Sequence, residues 1–229
     1  YENRVALGDF KRISKWYKSM RKIKIKVCGM RESQNISDLA QLHPDYMGFI
    51  FFNQSKRDVS TSLKKTDLEN IPKSIKKVGV FVNATEEEIK TQKTTYNLDL
   101  IQLHGTESPE LCLRLKNLEI PIIKAFSVDT EFDFATTEPY KTSCDYFLFD
   151  TKGKDAGGNG FAFDWSILDK YDNEIPFLLS GGLDEKNIIE VNKLSHLNIH
   201  AVDVNSKFEI EPALKNIKLI KDSVFKVIS

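Results

Sequence analysis

Eight short apolar runs, each followed by a segment with helical spacing or a capping residue, constrain the fold of this chain more than any other feature. The runs are "KIKVC" (24–28), "YMGFIF" (46–51), "KVGVFV" (77–82), "LDLIQL" (98–103), "PIIKAF" (121–126), "DYFLFD" (145–150), "PFLLS" (176–180) and "HAVDV" (200–204). Between and after them come "SQNISDLAQLH", "TSLKKTDLENI", "TEEEIKTQKTTY", "SPELCLRLKNL", "DWSILDKY", "DEKNIIEVNKL" and "ALKNIKLIKDSVFKVI". Only the stretch around "DTEFDFATTEP" resists assignment. Strands that are apolar almost throughout need cover on both faces, and alternation with helices supplies it in a parallel sheet. Eight such units in 229 residues predict an α/β fold, a single (β/α)8 TIM barrel, with a doubly wound open sheet as the alternative.

The barrel is expected over residues 23–229. Residues 1–22 fit no repeated unit; they read as an N-terminal extension, a tag upstream of a start at Met20, or an extra helix under the barrel bottom. Lys+Arg and Asp+Glu balance at 33 each, so no net field favours nucleic acid or an anionic membrane. No apolar run approaches the roughly 18 residues a bilayer requires, and no signal-peptide pattern opens the chain. A cytoplasmic protein, monomer or homodimer, is expected. Cys28, Cys112 and Cys144 form no CxxC and no metal-spaced cluster with the four histidines, so neither a disulfide framework nor a metal site is expected. Cys112 sits at an apolar helical position, as a small core residue would.

Function in such a barrel belongs at the C-terminal ends of the strands, where the βα loops meet. Read in order, those ends carry Cys28, Arg57, Asn83, His104, Ser127, Asp150, the pair Gly181-Gly182 and the pair Asn205-Ser206. The last two loops have the plainest physics. "LLSGGLDEKN" puts two glycines before a helix expected to open at Asp184, which offers N–H groups to a phosphate. "VDVNSKFE" adds a turn with a small hydroxyl beside it. Loops after strands seven and eight recurrently bind phosphate in barrels, so the partner expected is a small phosphorylated molecule. The segment "GKDAGGNG" (153–160) reads either as a lid over the mouth or as a plain flexible loop.

In order and spacing, "KIKVCGM", "MGFIFFNQSKRDV", "KKVGVFVN", "LDLIQLHGTES", "IIKAF", "FLFDTKGKDAGGNGFAFDWSIL", "FLLSGGLDEKNI" and "AVDVNSKFEIEPALKN" resemble the phosphoribosylanthranilate isomerase family of tryptophan biosynthesis. The resemblance covers roughly residues 23–228. It implies a barrel that converts N-(5-phosphoribosyl)anthranilate to 1-(2-carboxyphenylamino)-1-deoxyribulose 5-phosphate by an Amadori rearrangement, with no cofactor. It also implies that Cys28 is the general base, Asp150 the general acid, and Arg57 the fork for the anthranilate carboxylate. His104 either bonds near the site or is a structural histidine.

Two demands follow from the chemistry. A thiol of ordinary pKa, near ~8.5, needs nearby positive potential or backbone donors to act as a base, and Gly29 leaves room for them. The carboxyl needs a raised pKa, for which the apolar run "YFLF" is the expected cause. The chain departs from the family at Asn205-Ser206-Lys207, where many members read Ser-Ser-Gly; Asn tolerates left-handed backbone, and Lys207 adds a cation able to face a phosphate. Two other readings stay open: a catalytically silent phosphosugar-binding barrel, and another phosphosugar isomerase or epimerase.

Overall fold

A computed structural model describes residues 23–151 and 165–228. Eight parallel strands close into a barrel in chain order: β1 (Lys24–Val27), β2 (Tyr46–Phe51), β3 (Lys76–Phe81), β4 (Leu100–Leu103), β5 (Ile122–Val128), β6 (Tyr146–Thr151), β7 (Phe177–Ser180) and β8 (Ile199–Val204). Lys26 of β1 stands opposite both Tyr46 of β2 and Asp203 of β8, which closes the ring and rules out the open sheet. No barrel strand is left with an unpaired edge.

Side chains alternate across each strand, and both faces are buried. Val78, Val80, Leu100, Ile123, Ala125, Leu148, Leu178 and Ala201 fill the interior, together with Tyr46 and Cys28. Ile25, Val27, Met47, Phe49, Ile101, Leu103, Phe147, Phe149 and Leu179 face outward into a second apolar layer beneath the helices. That double burial is why the strands read as continuous apolar runs.

The helices form where the caps demand them. In α1 (Ser33–Ala40), Ile36 and Leu39 are buried against the barrel. The short α2 (Lys65–Glu69) has Asp67 accepting from the Lys64 N–H. Thr85 opens α3 (Glu86–Tyr96) with a reciprocal Thr85–Glu88 capping box, and Asn97 closes it in the left-handed conformation at φ 48°. Ser108 caps α4 (Pro109–Lys116), whose first residue is a proline.

Three later helical segments are tighter 3-10 turns: Phe134–Tyr140, Trp165–Lys170 and Ile188–Leu194. The first carries Pro139, which cannot donate to a helical ladder. In the third, Ile188, Ile189 and Val191 lose rotamer freedom in a helix. The helix expected from Asp184 therefore begins at Ile188, and the Asp184 side chain instead accepts from the N–H groups of Lys186 and Asn187.

The expected helix over 213–228 is also corrected. Leu214–Lys215 forms β10, antiparallel to β9 (Glu209–Glu211), with Ala213 at φ 74° in the turn between them. The helix starts only at Ile217, as α5 (Ile217–Leu219) running on into a π-helix over Ile220–Phe225. Asn216 is its cap, accepting from the Leu219 N–H at 3.0 Å; Ala213 has no side-chain acceptor to serve as one. The expectations for residues 1–22 and for a lid at 153–160 fall outside the described residues. No helix among the described residues is long and apolar enough to cross a membrane.

Candidate active site

At the C-terminal mouth of the barrel lies a cavity of about 240 Å³. Cys28, Arg57, His104, Asp150, Gly181, Gly182, Asn205 and Ser206 all line it, so the structure brings together every site residue expected from the sequence. Asn83 and Ser127, also at strand ends, do not line it. The Asn83 carboxamide instead accepts from the Thr106 N–H at 2.8 Å, and Ser127 is exposed.

Cys28 follows β1 directly, and its N–H donates to the Val204 carbonyl at 3.0 Å. The side chain is buried against Gly48 of β2: a Cβ there would stand 2.6 Å from Cys28 Sγ, so only glycine leaves space for the sulfur. Gly29 turns at φ 76°, and a Cβ on it would meet Arg57 Cδ at 2.7 Å and Asn205 Oδ1 at 2.8 Å. The room expected at Gly29 is thus used by an arginine and an amide. Burial pushes the Cys28 thiol up, the Asp203 carboxylate acts in the same direction, and Lys26 and Lys215 oppose both.

Lys26, two residues before Cys28 and on the same inward face, is fully buried, with Nζ donating to Asp203 Oδ2 at 2.8 Å. Burial alone would lower its pKa, but Asp203 and Cys28 outweigh that cost and raise it. Asp203 is itself pushed up, chiefly by burial. Its Oδ1 has no hydrogen-bond partner among the described residues, and neither has Gln102 Oε1 on the opposite wall.

Asp150 ends β6. Its Oδ2 lies 3.4 Å from His104 Nε2, and Gln102 donates its amide N–H to His104 Nδ1 at 3.0 Å. The proposed cause of desolvation is corrected: Phe147 and Phe149 belong to the outward layer, on the other side of the strand, and the Asp150 side chain is 27% exposed. Leu148 and, further down the strand, Tyr146 are the parts of "YFLF" that share its face.

Gly181 and Gly182 adopt φ 81° and 63°, and a Cβ on Gly181 would lie 2.1 Å from the Thr151 carbonyl oxygen. The Ser206–Phe208 turn opens beside them, and Lys207 lines the cavity. The N–H groups of Gly182, Ser206 and Lys207 donate to no acceptor among the described residues. Asn205 sits at φ −146° and Lys207 is helical, so the position where the family carries glycine needs no left-handed residue here.

The Arg57 fork is engaged: Nε donates to Glu209 Oε1 at 2.8 Å and Nη2 to Oε2 at 2.5 Å. Glu209 also accepts from Lys215 Nζ, which donates to Asn205 Oδ1 at 2.6 Å as well. Despite burial, the bonds from Arg57 and Lys215 hold the Glu209 carboxyl below its usual range. Arg57 Nη1 keeps no acceptor among the described residues, which leaves one edge of the fork for another carboxylate.

Lys26, Gln102, Asp203, Glu209 and Lys215 were not singled out from the sequence. Strand parity was a signal for the first three, since Lys26 shares its face with Cys28, Gln102 with His104, and Asp203 with Asn205. Glu209 and Lys215 had none: Lys215 falls within the stretch expected to be helical, 213–228, and Glu209 lies between that stretch and β8, outside any expected element.

The family model described as N-(5'-phosphoribosyl)anthranilate (PRA) isomerase matches residues 25–226. The N-(5'-phosphoribosyl)anthranilate isomerase of Parabacteroides distasonis is 48% identical over 207 residues, covering 89% of this chain and 93% of its own. That of Phocaeicola vulgatus is 44% identical over 192 residues, covering 84% and 91%. The crystal structure of the Thermotoga maritima phosphoribosyl anthranilate isomerase superposes with a TM-score of 0.75 at 32% identity, covering 88% of this chain and 97% of the other. A solved phosphoribosyl anthranilate isomerase in complex with reduced 1-(o-carboxyphenylamino)-1-deoxyribulose 5-phosphate also reaches 0.75, at 30% identity, with 90% and 98% covered. With a closed eight-stranded barrel and a family match running from β1 to the terminal helix, the chain belongs to the N-(5'-phosphoribosyl)anthranilate isomerase family.

Proposed function

We propose that this cavity performs the family's aldose–ketose isomerisation in tryptophan biosynthesis with Cys28 as general base and Asp150 as general acid. The observation that carries the reading is the opening of a thiol and a carboxyl, from β1 and β6, into one cavity that also contains the diglycine turn and the Ser206 turn. Asp150 gives a proton to the furanose ring oxygen, the ring opens to a Schiff base, and the Cys28 thiolate takes the proton from C2′ before the enamine ketonises. His104 faces Asp150 Oδ2, which leaves Oδ1 for the transferred proton.

The ligand is a small phosphorylated molecule, a class supported by the sugar-phosphate complex of the relative described above. Its phosphate meets the N–H groups of Gly182, Ser206 and Lys207 together with the Lys207 ammonium, and its carboxylate meets the open edge of Arg57.

Loss of substrate fluorescence with the purified chain tests the activity. Cys28→Ser and Asp150→Asn should each lower kcat by ~10²–10⁴-fold with the circular dichroism spectrum unchanged. Native-like turnover in either variant refutes the assigned roles. A native chain that binds the ligand without turning it over would be the silent barrel instead.

A further inference from the structure

A thiol walled in by strands does not ionise readily, so the base assigned above depends on fixed positive charge within its reach. Five charged side chains surround it. Lys26 comes from its own strand, Asp203 from β8, Arg57 from the loop after β2, and Glu209 and Lys215 from the β9–β10 hairpin. Three cations against two carboxylates leave one positive charge, which a Cys28 thiolate neutralises. His104 and Asp150 act on Asp203, in opposite directions.

The three cations are not equivalent. Arg57 and Lys215 both donate to the single carboxylate of Glu209, and Arg57 remains partly exposed, so solvent dilutes its field. Lys26 is wholly enclosed, lies two positions from Cys28 on the same inward face, and spends one N–H on Asp203 Oδ2. Among the influences that favour the thiolate, its charge is the largest.

We infer that Lys26 is a positioning residue of this isomerase: its ammonium, held charged by Asp203, is the counter-ion against which the Cys28 sulfur gives up its proton. Asp203 keeps Lys26 protonated in a place where an isolated ammonium would not stay so. Gly48, with no Cβ, leaves the space against β2 that the sulfur occupies. The inference rests on Cys28 acting as the base, yet thiol ionisation is measurable without turnover.

The test is Lys26→Met, which keeps the bulk of the side chain and removes the charge, read by peptide-resolved iodoacetamide alkylation of Cys28 against pH and by the pH profile of kcat/KM. A thiolate base gives activity that rises with pH, so losing its counter-ion must move that limb upward. The limb and the alkylation profile should both shift by about one pH unit or more, a tenfold loss of thiolate at a given pH below the limb. Raising the pH should restore activity, with KM little changed.

Lys26→Met leaves Asp203 unpaired, so the double variant Lys26→Met/Asp203→Asn makes the same wall neutral and serves where the single variant folds poorly; its profiles should also lie above native ones. Superposition of either folded variant's alkylation profile on the native profile overturns the inference. An alkylation shift in Lys26→Met alongside full turnover by Cys28→Ser would uphold the electrostatic role and sink the catalytic one.

Discussion

A single missing methyl group decides whether the thiol fits. Gly48 carries ordinary strand backbone, so its value lies in the absent Cβ rather than in conformational freedom. Gly48→Ala would press a carbon to 2.6 Å from Cys28 Sγ and 3.1 Å from Cys28 Cα, and the Cα cannot swing away as a flexible side chain could. Overpacking of this kind costs about 1–3 kcal/mol, and here it also turns the Cys28 sulfur, the proposed base, away from the cavity. Urea unfolding should show that loss of stability together with a fall in kcat that exceeds any rise in KM. An alanine variant with native kcat would mean that the sulfur reaches the substrate from another rotamer.

Among the elements, the β9–β10 hairpin has a role out of proportion to its five strand residues. Glu209 is 4% exposed and Lys215 wholly buried, and between them they tie Arg57, Asn205 and the Ala213 N–H into one network. Glu209→Ala removes the partner of two cations, one of them fully enclosed, and breaking a buried pair from one side costs about 3–5 kcal/mol. Thermal or urea unfolding should register that loss, and KM should rise as the Arg57 fork loses its anchor. A variant with native stability would show that solvent compensates Lys215 without Glu209.

Across the whole molecule, the two ends of the barrel behave differently toward protons. The working end sets cations against carboxylates, while the opposite end is stoppered by rings. Tyr146 packs on His200 with centroids 4.2 Å apart, and the Tyr46 hydroxyl lies 2.7 Å from His200 Nε2. A register shift in β8 sets Phe177 opposite Ile199 but Leu178 opposite Ala201, so His200 is the extra residue of a bulge.

Burial, helped by the Lys24 charge, pushes His200 down from 6.5 to about 4. The unfolded chain therefore binds a proton at this residue, between those two values, that the folded chain refuses. Stability must fall as pH drops through that window, and it is fully present above the ordinary histidine pKa. With allowance for the solvent that still reaches the ring, the loss is on the order of 1–2 kcal/mol. His200→Gln keeps a polar partner for Tyr46 and removes the titration, so its stability should be flatter between pH 6.5 and 4 than that of the native chain. An unchanged slope would assign the acid sensitivity to other groups.

Strand and helix periodicity are properties of a few consecutive peptide units, and they were legible without any partner. Near-continuous apolar runs marked all eight strands to within two residues at either end. The alternation of side chains along a strand turned Cys28 and Asp150 inward, and strand order then forced the ends to share a mouth. Parity alone would also have warned that Phe147 and Phe149 point away from Asp150, since neighbours in a strand cannot share a face.

Pairing is different in kind, because it depends on which residues closure brings opposite one another. Lys26 meets Asp203 across 177 positions only because β8 returns beside β1, and Arg57 meets Glu209 across 152 only because a hairpin replaces the first turn of the last helix. A charged side chain carries no local mark of its eventual counter-ion. The sequence by itself therefore determined the barrel and the inward-facing thiol and carboxyl, and the tertiary structure alone decided which charges surround them, since Coulombic partners are chosen by distance in space.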